Sequence, residues 1–187
     1  MEKSYNVAVL VGSLRKGSYS RKIARAFAAL APKNLDFRFI EIGDLPFYNE
    51  DTDSGTPPAV WTDFRKKMKE ADAYLFVTPE YNRSVPGVLK NAVDVASRPY
   101  GQNTMAGKPA AVISTSIGAL AGFGANHHLR QSLVFLDVPT MQQPEAYIGR
   151  SAEFLDEAGN PATEANKKFL EGIITAFASW IKTIKKD

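Results

Sequence analysis

With 187 residues and no cysteine, the chain is long enough to bury a full core unaided, and thiol catalysis and thiolate metal sites are excluded. Its 23 Lys and Arg against 20 Asp and Glu leave a net charge of +3, too mild and too scattered for a nucleic-acid stripe. No apolar run reaches the length of a membrane span, so the expectation is one domain over residues 1–187, working in the cytoplasm with no membrane partner.

The first element is the run Val7–Val11, a strand buried on both faces that stops at Gly12. The loop Ser13-Leu14-Arg15-Lys16-Gly17-Ser18-Tyr19-Ser20-Arg21 follows, then a helical pattern with Ile23, Ala24, Phe27, Ala28 and Ala31 on one face. A strand, a hydroxyl-rich loop and a helix in that order make an anion site. The first helical amides lack internal partners, and the helix dipole favours negative charge there. Ser13, Ser18 and Ser20 supply hydroxyl donors, and Arg15 supplies a charged fork that suits phosphate. Two better-known phosphate motifs fail on their residues. Ser18-Tyr19 stands where a Walker A loop needs Lys and then Ser or Thr, and no third glycine completes a dinucleotide fingerprint.

Leu35–Phe39 alternates apolar and polar, as a strand with one wet face does. A long loop runs from Gly43 to about Pro58, and a helix covers about 59–71. Ala73–Val77 is a second apolar strand, leading into Thr78-Pro79-Glu80-Tyr81-Asn82-Arg83-Ser84. Ser84 reads as a helix cap with Pro86 in the first turn. The helix after it carries Val85, Val88, Leu89, Ala92, Val93 and Ala96. Ala110–Ser114 is a third apolar strand, followed by Thr115-Ser116-Ile117-Gly118. A helix over about 126–135 and a proline-bearing edge strand near Val138–Met141 come next, and Glu145 then falls just past that strand. A last helix, starting at about Gly159-Asn160-Pro161, packs Phe169, Leu170, Ile173, Phe177, Trp180 and Ile181. His127 and His128 are adjacent on a helix and point apart, so no shared metal site is expected.

Alternating strands and helices predict a parallel five-stranded sheet covered on both faces. Three apolar strands belong at its centre, which agrees with the order 2-1-3-4-5. Ligands of such sheets bind beyond the carboxyl ends of the strands, where the chain reverses direction between strands 1 and 3. All three unusual loops converge there. A phosphate on the first loop leaves the second and third to frame a flat heterocycle with hydrogen-bonding edges.

The residues also carry a resemblance. The chain is similar to the NADPH-dependent FMN reductase family, and most to its bacterial chromate and quinone reductase branch. The likeness rests on Gly12-Ser13-Leu14-Arg15-Lys16-Gly17-Ser18, on Pro79-Glu80-Tyr81-Asn82 with Ser84, Pro86-Gly87, Leu89-Lys90-Asn91-Ala92 and Asp94, and on Ala106-Gly107-Lys108-Pro109. It extends through His128-Leu129-Arg130-Gln131 and Pro144-Glu145. It implies a flavodoxin-like fold, bound FMN, NADPH or NADH as co-substrate, and a homodimer or homotetramer.

By that resemblance Ser13, Arg15, Ser18, Tyr19 and Ser20 hold the FMN phosphate end. Pro79, Glu80, Tyr81 and Asn82 line the ring, largely through backbone groups, and Thr115, Ser116 and Gly118 meet its other side. Ser20 stands where relatives commonly have Asn, and Val95 where many have Trp. The implied activity is hydride transfer from NAD(P)H to flavin N5 and then electron transfer to quinones, chromate, azo compounds or other small electrophiles, in ping-pong order. No protein side chain is expected to act as a catalytic acid or base. Two alternatives stay open: a reductase that releases reduced FMN, and a flavodoxin-like carrier without NAD(P)H activity. The carrier suits an acidic surface and a Thr-rich loop, whereas this chain has Arg15, Lys16 and a basic balance.

Overall fold

A computed structural model describes residues 3–186. Its strands are β1 (Tyr5–Val11), β2 (Leu35–Phe39), β3 (Ala73–Pro79), β4 (Ala110–Thr115) and β5 (Ala146–Ile148). Its helices are α1 (Tyr19–Ala29), α2 (Glu50–Ser54), α3 (Ala59–Glu70), α4 (Gly87–Ala96), α5 (Phe123–Phe135) and α6 (Glu164–Lys185). The sheet runs β2-β1-β3-β4-β5 with every neighbouring pair parallel, the flavodoxin-like order expected from the loop positions.

Side chains alternate across the pleat and so sort into two cores. Val7, Val9 and Val11 point with Leu75 and Val77 into a layer closed by α1 and α6. Ala8 and Leu10 point with Tyr74 and Phe76 into a layer closed by α3, α4 and α5. The three central strands are buried on both faces, which is why they read as unbroken apolar runs.

Four expectations need correction. The fifth strand is Ala146–Ile148 and not Val138–Met141, so Glu145 precedes it. Thr140 makes only an isolated bridge to Ala110, with the Ala110 amide donating to Pro139 O at 3.1 Å and the Met141 amide to Ala110 O at 2.7 Å. Pro139 and Pro144 lack amide donors, so no continuous ladder runs through that stretch. Ser84 does not cap a helix, because α4 begins at Gly87 behind Pro86. The residue before a proline is disfavoured in helical geometry, which keeps the helix from starting earlier. Helix α5 begins at Phe123, a turn before the expected start, for a reason that lies in another loop. Helix α6 begins at Glu164, where the Thr163 hydroxyl accepts the Asn166 amide at 3.1 Å. The Gly159-Asn160-Pro161 stretch instead forms a turn, closed by the Asp156 amide donating to Asn160 O at 2.8 Å.

The long loop between β2 and α3 contains the short helix α2 and is pinned at two places. Asn91 on α4 accepts the Tyr48 amide at 2.8 Å and donates to the carbonyls of Leu45 and Pro46 at 3.1 and 3.0 Å. Arg65 on α3 forks onto both carboxylate oxygens of Asp53 at 2.7 and 2.8 Å and donates its Nε to Val95 O at 2.9 Å. The Asp53 side chain is only 3% exposed, so losing its partner would strand a buried charge. We expect Arg65→Ala to cost about 3–5 kcal/mol in urea unfolding. Lys90→Ala, which breaks an exposed pair with Asp94, should stay within about 1 kcal/mol of the parent.

Candidate active site

The three expected loops close around one cleft at the carboxyl ends of β1, β3 and β4. It encloses about 170 Å³. Ser13, Arg15, Ser18, Tyr19 and Ser20 line it from the first loop, Pro79, Glu80 and Tyr81 from the second, and Thr115 and Ser116 from the third. Asn82 and Gly118 are not in that lining, while Ile117 and Ser151 are.

The first loop is built as its sequence reads. Ser18 caps α1, its hydroxyl oxygen accepting the Arg21 amide at 3.1 Å, which leaves its proton free to donate outward. The Tyr19 and Ser20 amides have no acceptor among the described residues, so the positive end of α1 opens on the cleft. Arg15 is exposed at the rim and pairs with no acid among the described residues. The neighbouring Arg21 does have a partner. It forks onto Glu41 at 2.6 and 2.8 Å, and that contact raises the guanidinium pKa and lowers the carboxyl pKa.

Ser20 also reaches across the sheet. Its buried hydroxyl lies 2.7 Å from that of Thr115 at the end of β4, so the first and third loops share one hydrogen bond. The third loop is held in turn by β5 and the segment after it. The Ser116 amide donates to Ile148 O at 2.9 Å and the Ser151 amide to Ser116 O at 3.0 Å.

The second loop is a tight turn in which the Tyr81 and Ser84 backbones exchange two hydrogen bonds of 3.0 Å. Its central residues, Asn82 and Arg83, have φ of 50° and 65°. Asn tolerates the left-handed region and Arg much less, so Asn82 serves the turn and not the cleft lining. Glu80 is expected to line the ring largely through its backbone, and its carboxylate is engaged elsewhere. That group accepts the Ala125 amide in the first turn of α5 at 3.0 Å and lies 3.5 Å from Arg83. This long-range cap explains the early start of α5. Gly124 makes room for it, since a Cβ there would sit 2.7 Å from Arg83 O and 2.9 Å from the Glu80 carboxylate.

Three residues whose roles the sequence left open lie outside the lining. Arg83 is the exposed partner of Glu80. His127 meets the Tyr147 hydroxyl at 2.8 Å and Glu145 at 3.9 Å, while His128 meets Ser84 at 2.9 Å. Adjacent imidazoles thus serve different elements. Partial burial and the Glu145 carboxylate push the Tyr147 phenol up to about 12, so it stays protonated at neutral pH.

The donor set fits a phosphate-bearing ligand. Ser13 and Ser151 are 5% and 3% exposed, and neither hydroxyl has a partner among the described residues. Neither oxygen is sealed from solvent, and both face the cleft beside two open helical amides and a guanidinium. Phosphate oxygens would satisfy such donors, and the absence of a carboxylate aimed at them keeps the field favourable to an anion.

Comparison with known proteins agrees. The family model described as NADPH-dependent FMN reductase matches residues 5–153. A quinone reductase of Pseudomonas putida is 58% identical over 182 residues, covering 97% of each chain. A 2-hydroxy-1,4-benzoquinone reductase of a Burkholderia species is 46% identical, covering 94% of this chain and 96% of its own. Among solved structures, the flavoenzyme NAD(P)H:(acceptor) oxidoreductase FerB of Paracoccus denitrificans superposes with a TM-score of 0.90 at 44% identity, covering 96% of this chain and 98% of its own.

Glu80 can be tested apart from any ligand. Glu80→Ala removes a charged acceptor from the start of α5 and should cost about 1–2 kcal/mol in denaturant unfolding of the apoprotein. Glu80→Gln keeps an acceptor and should lose less than half as much.

Proposed function

The chain belongs to the NADPH-dependent FMN reductase family, and from that premise we propose that it oxidises NADPH or NADH and reduces quinones through FMN held in the three-loop cleft. The observation that carries this is the cleft itself, where the unpartnered hydroxyls of Ser13 and Ser151 and the open helical amides meet behind Arg15. When bound, FMN takes hydride from the nicotinamide and passes the electrons to the acceptor, so the protein need supply no acid or base of its own.

The residues divide the work. Ser13, Ser18 and Ser20 with the α1 amides bind the phosphate, and Arg15 adds charge from the rim. Pro79 and Tyr81 offer one wall for the ring, and Thr115 and Ser116 the other. Asn82 and Gly118 contribute by shaping their loops. Glu80 works by fixing the second loop to α5, so its carboxylate moves no proton in the reaction. One cleft takes donor and acceptor in turn. Steady-state velocities over a grid of NADPH and quinone should therefore give parallel double-reciprocal lines, whereas intersecting lines would mean that both substrates bind together.

Three finer readings belong to the same proposal. Chromate and azo compounds are further acceptors, since electron transfer from a reduced cofactor demands little recognition of the oxidant. The enzyme works in the cytoplasm, where reduced nicotinamide is produced. It assembles as a homodimer or homotetramer through the face of α4 and α5, where the exposed Phe135 borders a groove with Val93, Ser97 and Leu136. A monomer mass by light scattering at micromolar concentration, with full activity, would refute the assembly.

The decisive experiment is anaerobic. Protein reconstituted with FMN should be yellow, bleach with NADPH or NADH, and recover its colour on addition of quinone. Flavin that stays oxidised would favour a carrier, and flavin lost on reduction would favour an enzyme that releases it. Arg15→Ala should weaken FMN roughly ten- to a hundredfold by removing a charged hydrogen bond worth about 1.5–3 kcal/mol. Riboflavin, which lacks the phosphate, should bind the variant and the parent alike in fluorescence titrations.

A further inference from the structure

Ser151 lies beyond β5, outside the three loops that the fold presents as the ligand site, yet it lines the same cleft. It is 3% exposed, and its hydroxyl has no hydrogen-bond partner among the described residues. Nor is that hydroxyl sealed away, because no fully enclosed side-chain nitrogen or oxygen lacks a partner there. The small part of the residue that solvent reaches therefore includes its oxygen, and the open space beside it is the cleft.

The backbone shows which end of the cleft Ser151 serves. Its amide donates to Ser116 O, the next residue back is Thr115, and the Thr115 hydroxyl lies 2.7 Å from Ser20 in the first turn of α1. Ser151 thus lies on the third-loop side of the cleft, the side that Thr115 links to the first turn of α1, and not on the wall made by Pro79 and Tyr81. Arg150 just before it has φ of 47°, a left-handed geometry that a bulky residue rarely adopts. That turn comes immediately before the buried serine. Nearby, a Cβ on Gly149 would approach the carbonyls of Gly118 and Ala119 to 3.1 and 3.2 Å, so this segment is seated tightly against the third loop.

We propose that Ser151 is a fourth-segment ligand residue, donating its hydroxyl to an oxygen of the phosphoribityl tail of FMN. The proposal rests on FMN binding in this cleft. It gives the cofactor a contact that closes only when the chain beyond β5 has docked on the third loop. It also separates two things that a conventional reading of βα loops treats as one, namely the loops that shape the site and the segments that complete it.

The test compares Ser151→Ala and Ser151→Thr with the parent, using apoprotein titrated with FMN and with riboflavin, together with thermal melts of the apoprotein. Ser151→Ala should weaken FMN roughly two- to tenfold, the loss of one neutral hydrogen bond, while the apoprotein melts as the parent does. Ser151→Thr, which keeps the hydroxyl, should recover most of the affinity. A loss for FMN alone assigns the contact to the phosphate, and an equal loss for riboflavin assigns it to the ribityl chain. Unchanged FMN affinity in Ser151→Ala would overturn the proposal while leaving FMN binding intact. So would a lower melting temperature without weaker binding, which would make Ser151 a packing residue. A parent that binds neither flavin would overturn the cofactor reading and this proposal with it.

Discussion

One hydrogen bond between hydroxyls, Ser20 to Thr115, ties the amide end of α1 to the end of β4 across the intervening strand β3. Much of the site depends on it. Helix α1 offers its unpaired amides wherever its first turn lies, and that turn is fixed over the cleft only while Ser20 stays engaged. Both groups are buried, so breaking the bond would leave two polar groups without water to replace it. The same bond keeps Ser20 oriented.

The other restraints on the cleft also run between elements. Glu80 leaves the second loop to hold the start of α5, and His128 on α5 returns to Ser84 at the other end of the same turn. Asn91 and Arg65 do similar work behind the site, where the β2–α3 connection meets α4. A pair of left-handed residues, Asn82 and Arg83, is tolerable because both sides of the turn are fastened in this way. The resulting frame holds polar groups at fixed positions, which suits a protein whose part is to orient a cofactor.

The order of the sheet and the identity of its central strands were legible because burial on both faces leaves unbroken apolar runs. That the first loop faces the cleft was legible because Ser13, Arg15, Ser18 and Ser20 all precede or open one helix, within reach of local pattern. What escaped was set by distant partners. The start of α5 depends on a carboxylate 45 residues away, and nothing near Phe123 announces it. Glu80 lines the cleft as its motif suggests, but the service of its side chain to the neighbouring helix is invisible in sequence. Ser84 had the composition of a cap, but Pro86 had already excluded helical geometry before it. The fifth strand was misplaced because Val138–Met141 has strand composition, whereas it makes only an isolated bridge and continuous pairing with β4 begins at Ala146, past Pro144. Ser151 left no signal in sequence. Its importance comes from lying beside Ser116, which only the folded chain shows.

The central claim is that the α1 amide end, the buried hydroxyls and Arg15 together make a site for a phosphate dianion. Phosphorus NMR of the FMN-bound protein, followed from about pH 5 to about pH 8, tests this at the atom concerned. A phosphate monoester free in solution gains its second charge with a pKa of about 6. Open amides and a guanidinium favour the doubly charged form, so the bound resonance should hold the dianion position down to the lowest pH at which the protein stays folded. A bound resonance that titrates near pH 6 like free FMN would show the phosphate lying in solvent, and would contradict the account.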